Sequence, residues 1–155
     1  MDTDQSQLIA TLAQTPPTLA RLTSALTDAE LDFHPDEQEW SIREILAHLV
    51  DDEMFIMRTR LERMIKEEHP TLPSHDEKHW YSQRNTSRDT QSELLHDFTV
   101  QRAASLNILT FLRENEWERT AFHPEYGDFT AQQWVERWVE HDQTHIQQIE
   151  RALPQ

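Results

Sequence analysis

His141 and His145 stand four residues apart in H-D-Q-T-H, inside a stretch rich in helix formers. On an α-helix this spacing places both side chains on one face, so both imidazoles reach a common ion. Two ligands leave a coordination sphere incomplete, and catalytic sites usually combine three protein ligands with one open position. The best third candidate is His48, in W-S-I-R-E-I-L-A-H on another strongly helical segment. The trio suggests a metal held between two helices of a bundle. Glu44, Asp51, Asp52, Glu140 and Asp142 are neighbours that could orient an imidazole or add a ligand. With nine histidines in the chain, an H-x-x-x-H pair also arises by chance. A second pair, His75 and His79, has the same spacing with His69 nearby, but its polar, proline-flanked setting reads as surface. His34, His96 and His123 have no evident partner.

Composition narrows the chemistry. The 155 residues include no cysteine, so thiolate zinc sites, disulfides and cysteine nucleophiles are excluded, and any transition metal must be held by imidazole and carboxylate. Acidic residues outnumber basic ones 29 to 14, a formal charge of −15 that repels phosphate backbones and anionic membrane surfaces. Neither a signal peptide nor a membrane-spanning apolar run is visible, which predicts a soluble, cytoplasmic protein. By length this is one domain, spanning 1–155. A single glycine leaves nothing from which to build the turns of a Rossmann or P-loop fold.

The elements that must position the histidines read as all-α. Four capping-box patterns, Thr27 with Glu30, Ser41 with Glu44, Thr90 with Glu93 and Thr130 with Gln133, mark helix starts. Long helices are expected at about 42–66, 91–113 and 131–152. A first helix over about 5–25 should be interrupted at Pro16 and Pro17, with Thr15 capping its second piece. Apolar stripes on all four, including Ile42, Ile45, Leu46 and Leu49 on the second and Trp134, Trp138, Ile146 and Ile149 on the last, predict a four-helix bundle. The 67–89 segment reads as a long connection between helices 2 and 3, carrying a short helix near 76–83. Trp134 and Trp138 read as core, Trp40 as a hydrophobic staple, and Phe55 and Trp80 as pocket candidates. His145 lies beside the tryptophan stripe, His141 at its margin, and His48 off the stripe of its own helix with Glu44, Asp52 and Phe55.

With these residues placed, the chain resembles the DinB-like family, the bacterial DNA-damage-inducible group that includes YfiT-type metal-dependent hydrolases. The resemblance rests on L-T-D-A-E-L after the kinked first helix, E-W-S-I-R-E-I-L-A-H-L-V-D-D-E at 39–53, H-P-E-Y-G-D-F-T-A-Q-Q-W at 123–134, and H-D-Q-T-H-I-Q-Q-I at 141–149. It implies a four-helix bundle of the DinB/YfiT type. It also implies a divalent metal, Zn or Ni foremost and Fe or Mn as alternatives, bound by His48, His141 and His145. Glu44 and Asp52 are then the candidate catalytic residues. Relatives include bacillithiol S-transferases and mycothiol-dependent maleylpyruvate isomerases, so a low-molecular-weight thiol is one expected partner of a small-molecule substrate. A homodimer is common in the family, and nucleic acid is not an expected partner. The expected function is metal-dependent thiol S-transfer or hydrolysis; the alternative is a non-catalytic metal- or small-molecule-binding dimeric bundle linked to stress response.

Overall fold

The computed structural model describes residues 1–84, 86 and 89–155. Helix α1 (Thr3–Thr23) leads into the short α2 (Asp28–Leu31). One long run follows: α3 (Ile42–Asp52), a π-helical turn (Glu53–Met57) and α4 (Arg58–Lys66). The connection then carries α5 (Glu77–Ser82) before α6 (Gln91–Thr110). A 3-10 turn (Glu114–Glu116), the antiparallel hairpin β1 (Thr120–His123) and β2 (Gly127–Thr130), and α7 (Ala131–Ala152) complete the fold. Helix α1 packs on α6 and α7, and α3 packs on the same two from the other side. Helices adjacent in sequence therefore sit diagonally in the bundle. Among the described residues no helix is long and apolar enough to cross a membrane.

All four expected capping boxes form, each with reciprocal bonds between cap and third helical residue. A fifth, Asp2 with Gln5, opens α1. Positions 85, 87 and 88 of the expected 67–89 connection lie outside the described residues; its expected short helix is α5.

Three local features depart from expectation. Helix α1 runs through Pro16 and Pro17 as one element, and Thr15 caps nothing; its hydroxyl donates to Asp142 Oδ2 at 2.6 Å. Proline 16 has no N–H to give Leu12 O, its partner four residues back. Arg102 Nη1 donates to that carbonyl instead, at 2.8 Å. The second departure is the hairpin, whose four-residue strands are too short to show a period. Its turn uses the one glycine, Gly127, at φ 76°, while Leu72 N–H donates to Phe122 O at 2.7 Å and ties the connection to it. The third is the π turn, which no composition signal announces.

The core consists of two apolar clusters separated by a buried ionic layer. One cluster holds Leu12, Met57, Leu109 and Trp138, the other Leu19, Leu49, Phe98 and Ile149. Between them on the four bundle helices lie Thr15, Glu53, Arg102 and Asp142. Arg102 is buried and donates through Nε and Nη2 to Glu53 (2.8 and 2.9 Å) and through Nη1 and Nη2 to Asp142 (2.6 and 2.8 Å). Trp138 Nε1 adds a bond to Glu53 Oε1 at 3.0 Å. Such a layer contributes little net stability by itself, because desolvation offsets the attraction, but it fixes how the helices align. That alignment matters because Asp52 and His141 are the immediate neighbours of Glu53 and Asp142.

Candidate metal centre

Helices α3 and α7 bring the three expected histidines together. One ring nitrogen of each of His48, His141 and His145 lies within 4.8 Å of the other two. Two nitrogens bonded to one ion at about 2.1 Å stand at most about 4.2 Å apart, so a small side-chain adjustment lets all three share one. The rings already converge, with centroids 4.6 Å apart for His48 and His145, 4.5 Å for His141 and His145, and 5.6 Å for His48 and His141. His48 is buried, although a stripe count places it off the apolar face; α3 is enclosed on nearly every side.

Two carboxylates join them. Asp52, one turn after His48, has Oδ2 3.2 Å from His48 Nε2 and 3.0 Å from His141 Nε2. Glu77, carried in by α5, has Oε1 3.1 Å from His48 Nε2. Asp52, Glu77, His48 and His141 form a second set of mutually close donor atoms. Imidazole and carboxylate with no sulfur suit zinc, nickel, iron or manganese, so the donor set fits the divalent ion that the resemblance implies. Asp52 is among the residues expected to orient an imidazole, add a ligand or act in catalysis, whereas Glu77 was not anticipated. Its one visible signal was an acidic residue within H-D-E-K-H, the histidine pair read as surface.

The surroundings set the state of each group. His145 Nδ1 bonds Gln148 Oε1 at 2.8 Å, which turns the other nitrogen toward the cluster. Burial, with His141 and His48 beside it, pulls His145 down to about 4. Burial also pulls His141 down, but the bond to Asp52 and the charges of Asp52, Asp142 and Glu77 outweigh it, and its pKa is raised. The hydrogen bond from His48 brings Glu77 down to about 2, against an opposing push from burial. Burial raises the neighbouring Asp51, partly countered by Trp80 Nε1 at 3.1 Å and Arg84 Nε at 2.8 Å. Through these two bonds Asp51 holds the connection, and Glu77 with it, against α3.

Other expected residues lie elsewhere. Glu44 is not at the cluster: it stays in its capping box with Ser41 and pairs with His34 Nε2 at 2.9 Å. Of the second histidine pair, His75 reaches the edge of the centre, 4.0 Å from Asp52 Oδ1. Trp40 walls the site, its ring 4.7 Å from His48 and stacked on His145 at 6.2 Å. Trp134 and Trp138 are buried core, as expected. Phe55 and Trp80 pack on each other at 5.5 Å on the exposed side.

The cluster opens on a cavity of about 360 Å³ lined by Asp52, Glu77 and His141 at one end and by residues of α4, α7 and the hairpin beyond. A second cavity of about 320 Å³ lies past His145 and Trp40, and Glu77 lines both.

Comparison with known proteins identifies the fold and the family. YuaE of Bacillus subtilis, named only as an uncharacterized protein, is 31% identical over 142 residues, covering 80% of this chain and 83% of its own. YfiT of Bacillus subtilis, named "Putative metal-dependent hydrolase", is 26% identical over 145 residues, covering 91% and 79%. The solved structure of YfiT, described as a probable metal-dependent hydrolase with an unusual four-helix bundle topology, superposes with a TM-score of 0.88. It does so at 23% identity over 98% of this chain and 87% of that one, a likeness of fold. Residues 11–149 match the DinB superfamily, and the chain belongs to it.

Proposed function

We propose that this protein is a metal-dependent hydrolase of a small molecule, with the ion held by His48, His141 and His145. The observation that carries the reading is the convergence of three helix-borne imidazoles at the end of an open cavity. Relatives named "Putative metal-dependent hydrolase" support the reaction class. A divalent ion in this donor set supplies positive charge that polarises an acyl or phosphoryl oxygen and acidifies water or a thiol.

The chain's own residues supply the rest. Asp52 Oδ2 faces two imidazoles, which leaves Oδ1 to accept a proton from the nucleophile. Gln148 fixes the tautomer of His145. Trp40 packs its ring against His48 and His145 and helps to hold both in orientation. Glu77, on the connection rather than on a bundle helix, stands at the mouth of the site with its side chain 47% exposed. It is placed to make way for a substrate.

The test uses protein purified without a histidine tag. Metal analysis should find about one divalent ion per chain, lost in a His141→Ala/His145→Ala variant. Equal metal content in both proteins overturns the site. A screen of esters and amides, run beside conjugation of low-molecular-weight thiols to electrophiles, should give metal-dependent hydrolysis. Turnover only with thiols would reassign the protein as an S-transferase.

A further inference from the structure

The far end of the larger cavity is chemically unlike the histidine end. Helix α7 presents Trp134, Arg137 and His141 at spacings of three and four, so they line one face. On the facing run, Asp52, Ile56 and Arg60 recur every four residues. Both series lead from the metal centre through apolar surface to a guanidinium. Helical rise puts Arg137 about 6 Å from the centre's level, and Arg60 lies about two turns from Asp52 along its own run, across the π turn.

Both arginines are held in place, Arg60 buried and Arg137 exposed. Arg60 is buried, donates through Nη2 to Pro73 O at 2.8 Å, and lies over the Trp134 ring at 5.2 Å. Arg137 lies over the Tyr126 ring at 4.1 Å, while His123 stacks on Tyr126 at 3.9 Å. Among the described residues neither guanidinium forms an ion pair. The arginines in the bundle's ionic layer and at the α3 start, Arg102 and Arg43, both do. Glu125 and Glu140 also line this cavity, but both are exposed on its rim. A buried cation without a close counterion, as at Arg60, is costly, and a forked guanidinium matches an oxyanion bidentately.

We propose that Arg60 and Arg137 form a carboxylate-binding subsite, so that the substrate is a small acid with an apolar middle and its hydrolysable bond at the histidine end. This rests on the reading of the histidine cluster as the reacting end. Carboxylate is favoured over phosphate because four acidic side chains line the cavity and the chain carries −15, which penalises a dianion more than a monoanion.

Hexanoate, a monocarboxylate with an apolar chain, is the probe, titrated by calorimetry into metal-loaded and chelator-stripped protein. Arg137→Gln, at an exposed position, should weaken binding about tenfold or more in both forms. Arg60→Gln should do the same. Arg21→Gln, an exposed change of equal charge on α1, should leave it unaltered. Equal hexanoate affinity in wild type and Arg137→Gln overturns the subsite. Binding lost on stripping yet insensitive to Arg137 also overturns it, while leaving the metal reading intact. Binding sensitive to Arg137 in a protein that takes up no metal upholds the subsite and removes the metal reading. Inorganic phosphate binding more tightly than hexanoate, with the same Arg137 dependence, overturns the carboxylate assignment.

Discussion

Each of the three imidazoles is prepared differently for a cation, and the differences can be measured. His145 needs Gln148 Oε1 on its Nδ1 to keep its other nitrogen aimed at the cluster. Gln148→Ala should leave folding intact and weaken metal affinity about 10- to 100-fold, the usual cost of losing an outer partner. Competition with a chromophoric chelator checks this. Only a neutral imidazole ligates, so metal and proton compete. His145 is held near 4 and is already neutral at physiological pH. His141 is raised above its ordinary 6.5, so its proton is the one an incoming ion displaces. Metal affinity should therefore fall as pH drops through that raised value, by about tenfold per pH unit for one displaced proton. Calorimetry in buffers of different ionisation enthalpy should register that proton's release. A pH-independent affinity between 6 and 8 would contradict the assignment of His141.

At the scale of elements, what was legible in the sequence followed from periodicity and capping, and what was not depended on contacts distant in the chain. The long helices and four caps are local patterns, so they could be read directly; His141 and His145 share a helix, so their spacing was enough. Glu77 and Trp40 reach the site from irregular segments whose path no local pattern states. No local pattern singles out Arg102, because Glu53, Asp142 and the carbonyl left free by Pro16 come from three other parts of the chain. Breaking that layer by Arg102→Met strands two buried carboxylates, and should cost about 3–5 kcal/mol in urea denaturation. The hairpin offers a cleaner test of local strain. Gly127 sits at φ 76° with nothing within 4 Å of where a Cβ would lie. Gly127→Ala should cost about 1 kcal/mol from backbone conformation alone, and Gly127→Asn less.

For the molecule as a whole, the question is whether the ion holds the fold together or occupies a site the fold has already built. The bundle is closed on both sides of the centre by apolar clusters, and the ionic layer ties all four helices without any metal. Small metallo-domains that unfold on chelation lack such cores. Here the histidines lie on α3 and α7, which pack directly on each other, so their approach is set by helix contact. Chelator-stripped protein should therefore keep its helical circular dichroism and a cooperative thermal transition. Adding metal back should stabilise it only by mass action, about 2.7 kcal/mol at a hundredfold excess over Kd and rising logarithmically. The His141→Ala/His145→Ala variant should show the same base stability with no response to metal. Loss of the cooperative transition on stripping would instead make the ion a structural strut, and an open catalytic position would lose its support.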